Sequence, residues 1–332
     1  MTTAAMRRAK MNNISINSIC KTLMKSSRFE IFIHENPDAD AIGSCFALIN
    51  TLRALGKQAY AVSSDKIPSS LLFMTGGVKD FSLEMIPSDF EAETLISVDI
   101  ASPTQFGAYS ELSKNVDIAI DHHATHDSFA KAQHVNASAS ACAEIIYKII
   151  NRLLFGEIPE STAFLLYAGI AADTGGFRYA NTTPYTYKVA AKLIERGANH
   201  TEICHNLFEC KSKAAIAAEA FAMSNVSYFC GGKIIYVKIT LADKAAHDFE
   251  DEDTYDVINT LRRVDGVKIA IFARERGNGT YKISTRSSCD IDVARICALF
   301  GGGGHPGAAG CAVPTADIDS AVKRIVDECK FE

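Results

Sequence analysis

Four short apolar runs in the first half of the chain do most to limit what it can fold into. They are RFEIFIH (28–34), QAYAVSS (58–64), TLISVDI (94–100) and VDIAIDHH (116–123), and they are rich in Ile, Val and Phe. Helix patterns fall at 41–55, 139–154, 160–173 and 184–197. The last opens with Asn-Thr-Thr before Pro184, an N-cap followed by proline at the first helical position. Strands that are apolar throughout belong to sheets covered on both faces, and intervening helices imply parallel order. The expected fold class is α/β, with a parallel-sheet domain carrying helices on both faces over residues 12–195.

After a mostly helical connector at 196–230 the texture changes. KIIYVKIT (233–240) and VKIAIFARE (267–275) read as strands, GNG (277–279) as a hairpin turn and TYKISTRSS (280–288) as its return strand. A helix at 290–300, the run GGGGHPGAAG (301–310) and a last helix near 315–328 complete a smaller α/β domain over 231–330. A length of 332 residues suits two such domains.

Acidic and histidine residues gather where the strands of the first domain end. HENPDADAIGS (34–44) brings His34, Asp38 and Asp40; Asp99 closes the third run; Asp121, His122 and His123 close the fourth; Asp173 stands in AADTGGF (171–177). Open α/β sheets bind ligands outside the carboxyl ends of their strands, so these residues converge on one crevice. Taken singly, Asp99 reads equally as a helix cap, Asp173 as a turn former and Asp-His-His as a solvated loop. Their coincidence at several strand ends argues against that. Carboxylates with imidazoles suit Mn²⁺, Mg²⁺, Co²⁺ or Fe²⁺. The set exceeds the needs of one ion, whereas two ions about 3.5–4 Å apart, sharing a carboxylate, would use it.

Charge and cysteine usage narrow the partners. The net charge is −5, whereas a protein that grips long nucleic acid by its backbone is usually basic. Any nucleic-acid ligand should therefore be short or held at one end, and no long duplex is expected. There is no Trp, so base stacking falls to Phe, Tyr, His or Arg. Ten cysteines without a CxxC pair, mostly in apolar segments, suit free thiols in a reducing, cytoplasmic setting rather than disulfides or structural zinc. The basic start, MTTAAMRRAKMNN, lacks an apolar stretch behind it and is not expected to be a secretory signal. Residues 1–11 read as a frayed tail, with Met11 a second candidate start. No apolar run reaches the roughly 18 residues of a membrane span.

Glycines 301–304 precede His305. Glycine permits positive φ and lets backbone N–H groups approach an anion, yet no Lys-Ser/Thr follows as in a P-loop. The run is either a hinge or a cradle for a terminal phosphate. In the second case Gly302, Gly303, Gly304 and His305 would be completed by Arg286 and Ser287, since arginine binds phosphate bidentately. One domain would hold the chain end while the other cuts nearby. FRYANTT (177–183) offers Arg178 and Tyr179 as ligand contacts or as a surface loop, DFEDEDTYD (248–256) reads as a solvated helix start, and Ser138 and Ser140 as caps.

The order HENPDADAIGS, SVDIA, DHH, AADTGGF resembles the four motifs of the DHH phosphoesterase superfamily, and GGGGHPGAAG preceded by ISTRSS resembles the DHHA1 domain. Length and domain pairing are similar to the stand-alone nanoRNase/pAp-phosphatase group, which includes cyclic-dinucleotide phosphodiesterases. The resemblance implies that His34 and Asp38 hold a first ion, that Asp99 bridges, and that Asp40, His122 and Asp173 hold a second. It implies two Mn²⁺, with Mg²⁺ or Co²⁺ as substitutes. His123 would be catalytic with Asp99 and face the substrate phosphate, and Asp121 would orient the histidines. Where the family has a small or amide residue nearby, this chain has His126, which is expected on the surface. The implied reaction is hydrolysis of short oligoribonucleotides or linear dinucleotides (pApA, pGpG) to mononucleotides, and of 3′-phosphoadenosine 5′-phosphate to AMP. A c-di-AMP phosphodiesterase is the alternative, and a catalytically inactive nucleotide sensor a further one. The resemblance also implies a homodimer and no membrane partner.

Overall fold

The computed structural model describes residues 13–314 and 317–331, which leaves Met11 and the tail before it outside the described residues. The chain divides into two compact units, one up to Cys210 and one from Lys211. In the first, the order is α1 (Ile16–Lys25), β1 (Arg28–Phe32), α2 (Ala39–Ala54), β2 (Gln58–Val62), β3 (Thr94–Val98), β4 (Ile118–Asp121), β5 (Ala132–Val135), α3 (Cys142–Leu153), α4 (Glu160–Asp173), α5 (Pro184–Glu195) and α6 (His200–Cys204). The five strands pair in the order β2-β1-β3-β4-β5, all parallel. Chain direction across the sheet therefore reverses between β1 and β3, the switch point where such sheets open a crevice.

Packing explains how the sheet presents that crevice. Phe29, Ile31, Ile96, Val98, Ile118 and Ile120 are buried within the sheet, and Ile42, Cys45, Leu48, Ile49 and Leu52 of α2 are buried against it. Helix α2 meets α4 closely, since a Cβ on Gly43 would stand 2.4 Å from the Leu165 carbonyl. A Cβ on Gly169 would stand 2.9 Å from both Asp40 Oδ1 and Ala143 Cβ. These two glycines let α2, α3 and α4 close around the Asp40 carboxylate.

Several boundaries differ from the sequence expectations, each for a local reason. Strand β4 ends at Asp121, which leaves His122 and His123 in the following loop. Strand β5 has only four residues, and three of them are half-buried, too little for a periodic signal. Helix α1 lies outside the helix patterns of the sequence, yet Ser15 caps it and Ile19 and Leu23 are fully buried. Helix α3 starts at Cys142 with Ala141 at its cap, so neither Ser138 nor Ser140 caps it. Ser140 Oγ instead donates to the buried Glu144 carboxylate at 2.9 Å.

The second unit runs α7 (Lys213–Ser224), β6 (Ser227–Phe229), β7 (Ile234–Ile239), α8 (Leu241–His247), α9 (Val257–Leu261), β8 (Ile269–Arg276), β9 (Thr280–Ser287), α10 (Val293–Ala298), β10 (Gly303–His305), β11 (Ala308–Pro314) and α11 (Ile318–Glu328). Its sheet order is β10-β11-β9-β8-β7-β6, antiparallel except for β7 with β8. The expected connector is divided, with 196–210 in the first unit, 211–230 in the second, and β6 paired to β7. The glycine run is neither hinge nor open loop. Gly303–His305 pairs with Ala308–Gly310. A Cβ on Gly302 would lie 2.1 Å from the Gly310 carbonyl, and one on Gly304 (φ +140) 2.5 Å from that of Ala308. Sheet packing thus demands glycine at 302 and 304, while Gly303 has open space around it. The acidic run is not simply solvated, since Asp251 accepts from Lys244 Nζ at 2.6 Å and its carbonyl from the buried Arg274 at 2.9 Å. Among the described residues no helix is long and apolar enough to cross a membrane.

Overpacking a tight helix crossing typically costs about 1–3 kcal/mol. Gly43→Ala and Gly169→Ala should therefore lower the urea midpoint of the first unit, whereas Gly303→Ala should shift that of the second by no more than about 0.5 kcal/mol. Equal midpoints for Gly43→Ala and the parent would refute the close-crossing account.

Candidate active site

His34 stands two residues past the end of β1, and its Nδ1 donates to the Glu35 carbonyl at 2.8 Å, which turns Nε2 into the crevice. Neighbouring loops pin this segment: Glu35 N–H donates to the Gln105 carbonyl at 2.6 Å and Asn36 N–H to Asp65 Oδ2 at 2.9 Å. Asp38 is the N-cap of α2, its Oδ1 accepting from the N–H groups of Asp40 and Ala41 at 3.0 Å each. Asp40, 2% exposed, caps a different helix, accepting from Cys142 N–H at 2.6 Å and Ala143 N–H at 2.9 Å. The positive N-terminus of α3 thereby faces a buried carboxylate.

Asp99 follows β3 with φ +59, a left-handed backbone that is uncommon outside glycine. It is 2% exposed, and its Oδ1 has no hydrogen-bond partner. Its two oxygens face opposite ways. Oδ2 is 3.8 Å from His34 Nε2, and that nitrogen is 3.7 Å from Asp38 Oδ1. Oδ1 is 3.5 Å from His122 Nε2, which in turn lies 4.0 Å from Asp40 Oδ2 and 3.7 Å from Asp173 Oδ2. His122 Nδ1 faces the Ala139 carbonyl at 3.4 Å. Asp173 closes α4, and its carbonyl accepts from Asn181 Nδ2 at 3.1 Å while the same amide donates to Ser140 O at 2.9 Å. His123 Nδ1 is 2.7 Å from Asp121 Oδ1 and 3.7 Å from Asp99 Oδ1.

The separations of 3.5–4.0 Å among His34, Asp38, Asp40, Asp99, His122, Asp173 and His123 are long for direct hydrogen bonds and suit atoms around a shared cation. Ligands each about 2.0–2.2 Å from one ion can stand up to about 4.4 Å apart. In two groups, His34–Asp38–Asp99 and Asp40–His122–Asp173, one ligand atom from each residue lies within 4.8 Å of the others, close to that limit, and a third group, Asp99–His122–His123, links them. Protonation energetics point the same way. Burial, then the carboxylates of Asp40 and Asp38, push Asp99 well above the ordinary range. The same causes push Asp173 up to about 8. Burial also raises Asp40, against the pull of His122. Burial lowers the His34 imidazole, and Asp38 and Asp99 more than offset it, to about 9. The donors are nitrogen and carboxylate oxygen, the Asp99 oxygen is orphaned, and the carboxylates repel one another, so the residues fit a pair of divalent ions.

All eight residues expected at the strand ends are brought together here. Arg286, Ser287 and Gly302–His305 belong to the second unit, where Arg286 Nη1 donates to the Thr285 carbonyl at 3.0 Å and Ser287 Oγ to that of Cys289 at 3.1 Å. Arg178 and Tyr179 are tied into their own loop: Arg178 Nε donates to the Gly175 carbonyl and its guanidinium lies 5.6 Å from the Phe208 ring, while the Tyr179 ring covers Gly175. His126 is a correction. Its side chain is 2% exposed, and Nδ1 donates to Asp121 Oδ2 at 2.8 Å. The signal was its place three residues beyond His123, within one turn of the strand end.

Residues 28–170 match the DHH family, N-terminal domain, and residues 231–330 the DHHA1 domain. The chain is 32% identical over 314 residues to the bifunctional oligoribonuclease and PAP phosphatase NrnA of Thermus thermophilus, covering 93% of this chain and 92% of that one. An exopolyphosphatase-related protein from Bacteroides fragilis shares the fold with a TM-score of 0.86 at 23% identity, over 94% of both chains. RecJ from Thermus thermophilus, solved with Mn²⁺, gives a TM-score of 0.60 at 14% identity, over 96% of this chain and 55% of that one. This chain belongs to the DHH family and carries a DHHA1 domain. It is a metal-dependent hydrolase of that family.

Ion binding should be visible without turnover. The midpoint of a dye-based melt in EDTA should rise on adding Mn²⁺, which at a hundredfold excess over the dissociation constant stabilises by about 2.7 kcal/mol per site. Asp99→Ala should abolish that rise and weaken calorimetric Mn²⁺ binding at both sites; two undisturbed sites would remove Asp99 from the bridge.

The metal-free protein should also respond to pH. Asp173 keeps its proton up to about 8 in the folded state against 3.8 for the reference group, and His34 to about 9 against 6.5. Between pH 6.5 and 8 the folded state thus binds more protons than the unfolded one, so these groups lose their stabilising contribution as pH rises through that window. Melting midpoints in EDTA should fall across it, and Asp173→Asn should shrink the fall; a rising midpoint would contradict the assignment.

Proposed function

We propose that this chain is a two-metal phosphoesterase that hydrolyses short oligoribonucleotides and linear dinucleotides such as pApA and pGpG to mononucleotides, and 3′-phosphoadenosine 5′-phosphate to AMP. The observation that carries this reading is Asp99, whose two oxygens face two separate groups of ligands. The activities named for the Thermus thermophilus relative support it, as does the net charge of −5, which disfavours a long duplex.

In this reading His34, Asp38 and Asp99 hold one ion, and Asp40, His122 and Asp173, again with Asp99, hold the other. Mn²⁺ is the proposed metal, with Mg²⁺ or Co²⁺ as substitutes; the manganese bound by RecJ supports that choice. When bound, such a pair supplies an acidified water and positive charge for phosphate oxygens. The protein's own groups do the rest. Burial lowers the His123 pKa, but the Asp121 carboxylate that accepts from Nδ1 more than offsets it, so the ring is held as an imidazolium whose Nε2–H donates to a phosphate oxygen as charge grows on it. Asp40 and Asp38 keep their orientation through the helix N–H groups they accept. Arg286, Ser287, the backbone of Gly302, Gly303 and Gly304, and His305 are assigned to a terminal phosphate of the substrate.

Chromatographic product analysis with Mn²⁺ tests the reading, with pApA, 3′-phosphoadenosine 5′-phosphate, c-di-AMP and a long single-stranded RNA compared side by side. Fast turnover of the first two and slow turnover of the others is expected. Opening of c-di-AMP at a comparable rate would replace this substrate assignment, and no turnover of any would reject it. Losing a hydrogen bond to a charged group costs about 1.5–3 kcal/mol, so Arg286→Ala should raise KM for phosphate-terminated substrates about 10–100-fold with kcat little changed. An unaltered KM would remove Arg286 from the binding site.

A further inference from the structure

Asp121 is fully buried, and both its carboxylate oxygens are engaged. Oδ1 accepts from the N–H groups of His122 at 2.7 Å and His123 at 3.2 Å, and from His123 Nδ1 at 2.7 Å. Oδ2 accepts from His126 Nδ1 at 2.8 Å. A turn delivers His126 there: its N–H donates to the His123 carbonyl at 3.3 Å, and Asp127 N–H donates to the Ala101 carbonyl at 2.7 Å, close to the end of β3. The His126 ring lies 5.2 Å from the Phe129 ring, which packs edge-on to Phe106 at 5.5 Å.

Hydrogen placement on His126 follows from its surroundings. A bare lone pair at Nδ1 would face a carboxylate oxygen, so Nδ1 carries the hydrogen. Nε2 is then left buried without a partner. A polar atom stranded in this way carries a cost, and the bond from Nδ1 to Asp121 is the interaction that offsets it. His126 belongs to none of the ligand groups found among the described residues, so holding an ion does not explain its burial.

We propose that His126 is a positioning residue for the phosphoester reaction: its Nδ1–H pins Asp121 Oδ2, so that Oδ1 stays aimed at His123 Nδ1 and His123 presents Nε2 to the substrate. The inference rests on the assignment of His123 to the phosphate. A carboxylate with three donors on one oxygen and none on the other would leave a buried, charged oxygen unmet. Rotation about the Cβ–Cγ bond, or entry of water, would relieve that, and either would loosen His123. With His126 in place, rotation breaks side-chain bonds on both oxygens.

Two variants test this. His126→Leu keeps apolar volume beside Phe129 and removes the donor; His126→Asn sets an amide N–H where Nδ1 stands. Removing an outer hydrogen-bond partner typically costs about 10–100-fold, so His126→Leu should lower kcat on pApA by that factor, leaving KM and calorimetric Mn²⁺ affinity nearly unchanged. His126→Asn should recover most of the loss. Long-range ¹⁵N spectra of the metal-free protein should show His123 protonated at Nδ1 in the parent and His126→Asn, and only partly so in His126→Leu. Parent-like kcat and ring signals in His126→Leu would overturn the proposal, as would a loss of Mn²⁺ affinity that tracks the loss of kcat. Should His126→Leu not fold, a His123 ring not protonated at Nδ1 in the parent or His126→Asn would overturn it equally. The ring spectra need no substrate, so they decide the role of His126 even if none of the offered phosphoesters is cleaved.

Discussion

Carboxylates withdrawn from water within a few ångströms of one another have to be compensated, and the first unit is organised around that need. Asp40, Asp99 and Asp121 are each at most 2% exposed. Each is met differently. Asp40 accepts two amide hydrogens from the start of α3. Asp121 accepts from two imidazoles, which, with those bonds, hold it below the ordinary carboxylate range against the cost of burial. Asp99 is met by no donor at Oδ1. The site is balanced only when cations complete it, which is why its geometry says more about ions than about any one substrate.

The supporting fold serves that balance. The reversal between β1 and β3 puts the ends of both strands on the crevice, so His34 and Asp99 face each other although 65 residues separate them. Gly43 and Gly169 allow α2 and α4 to approach until Asp40 reaches the first amides of α3. Capping and a ligand's position, which look like rival readings of an aspartate in sequence, are compatible here. Asp38 caps its own helix with Oδ1, and that oxygen also stands 3.7 Å from His34. A carboxylate has about four lone-pair sites, enough for backbone donors and an ion together.

The strand-end residues were legible because residue type and position carried two independent signals, a ligand chemistry and a place at the carboxyl end of a strand. The parallel sheet was legible for a similar reason, since short, largely apolar runs separated by helix patterns leave few alternatives. What stayed hidden lacked a pattern. β5 is too short for one. Gly302 and Gly304 read as a hinge or a phosphate cradle rather than as strand-packing residues, since local sequence carries no sign of the partner backbone that excludes a side chain. His126 read as a surface residue because histidine is ambiguous without its neighbours, and its neighbours, Asp121 and Phe129, matter through geometry rather than adjacency.

The candidate ligands come from four chain segments, and most are held by bonds that involve no ion. His34 is held by the Glu35 carbonyl, Asp38 by the amides of α2, Asp40 by those of α3, and the end of α4 by Asn181. Such a site needs little reorganisation to take up metal, and preorganisation of this kind is what electrostatic catalysis requires. Asp99 is the exception. Its left-handed backbone and partnerless Oδ1 make it the ligand whose local energy depends most on what binds there. A residue strained in this way persists only when its surroundings overdetermine it. The two groups of candidate ligands that it faces, one through each oxygen, supply that constraint.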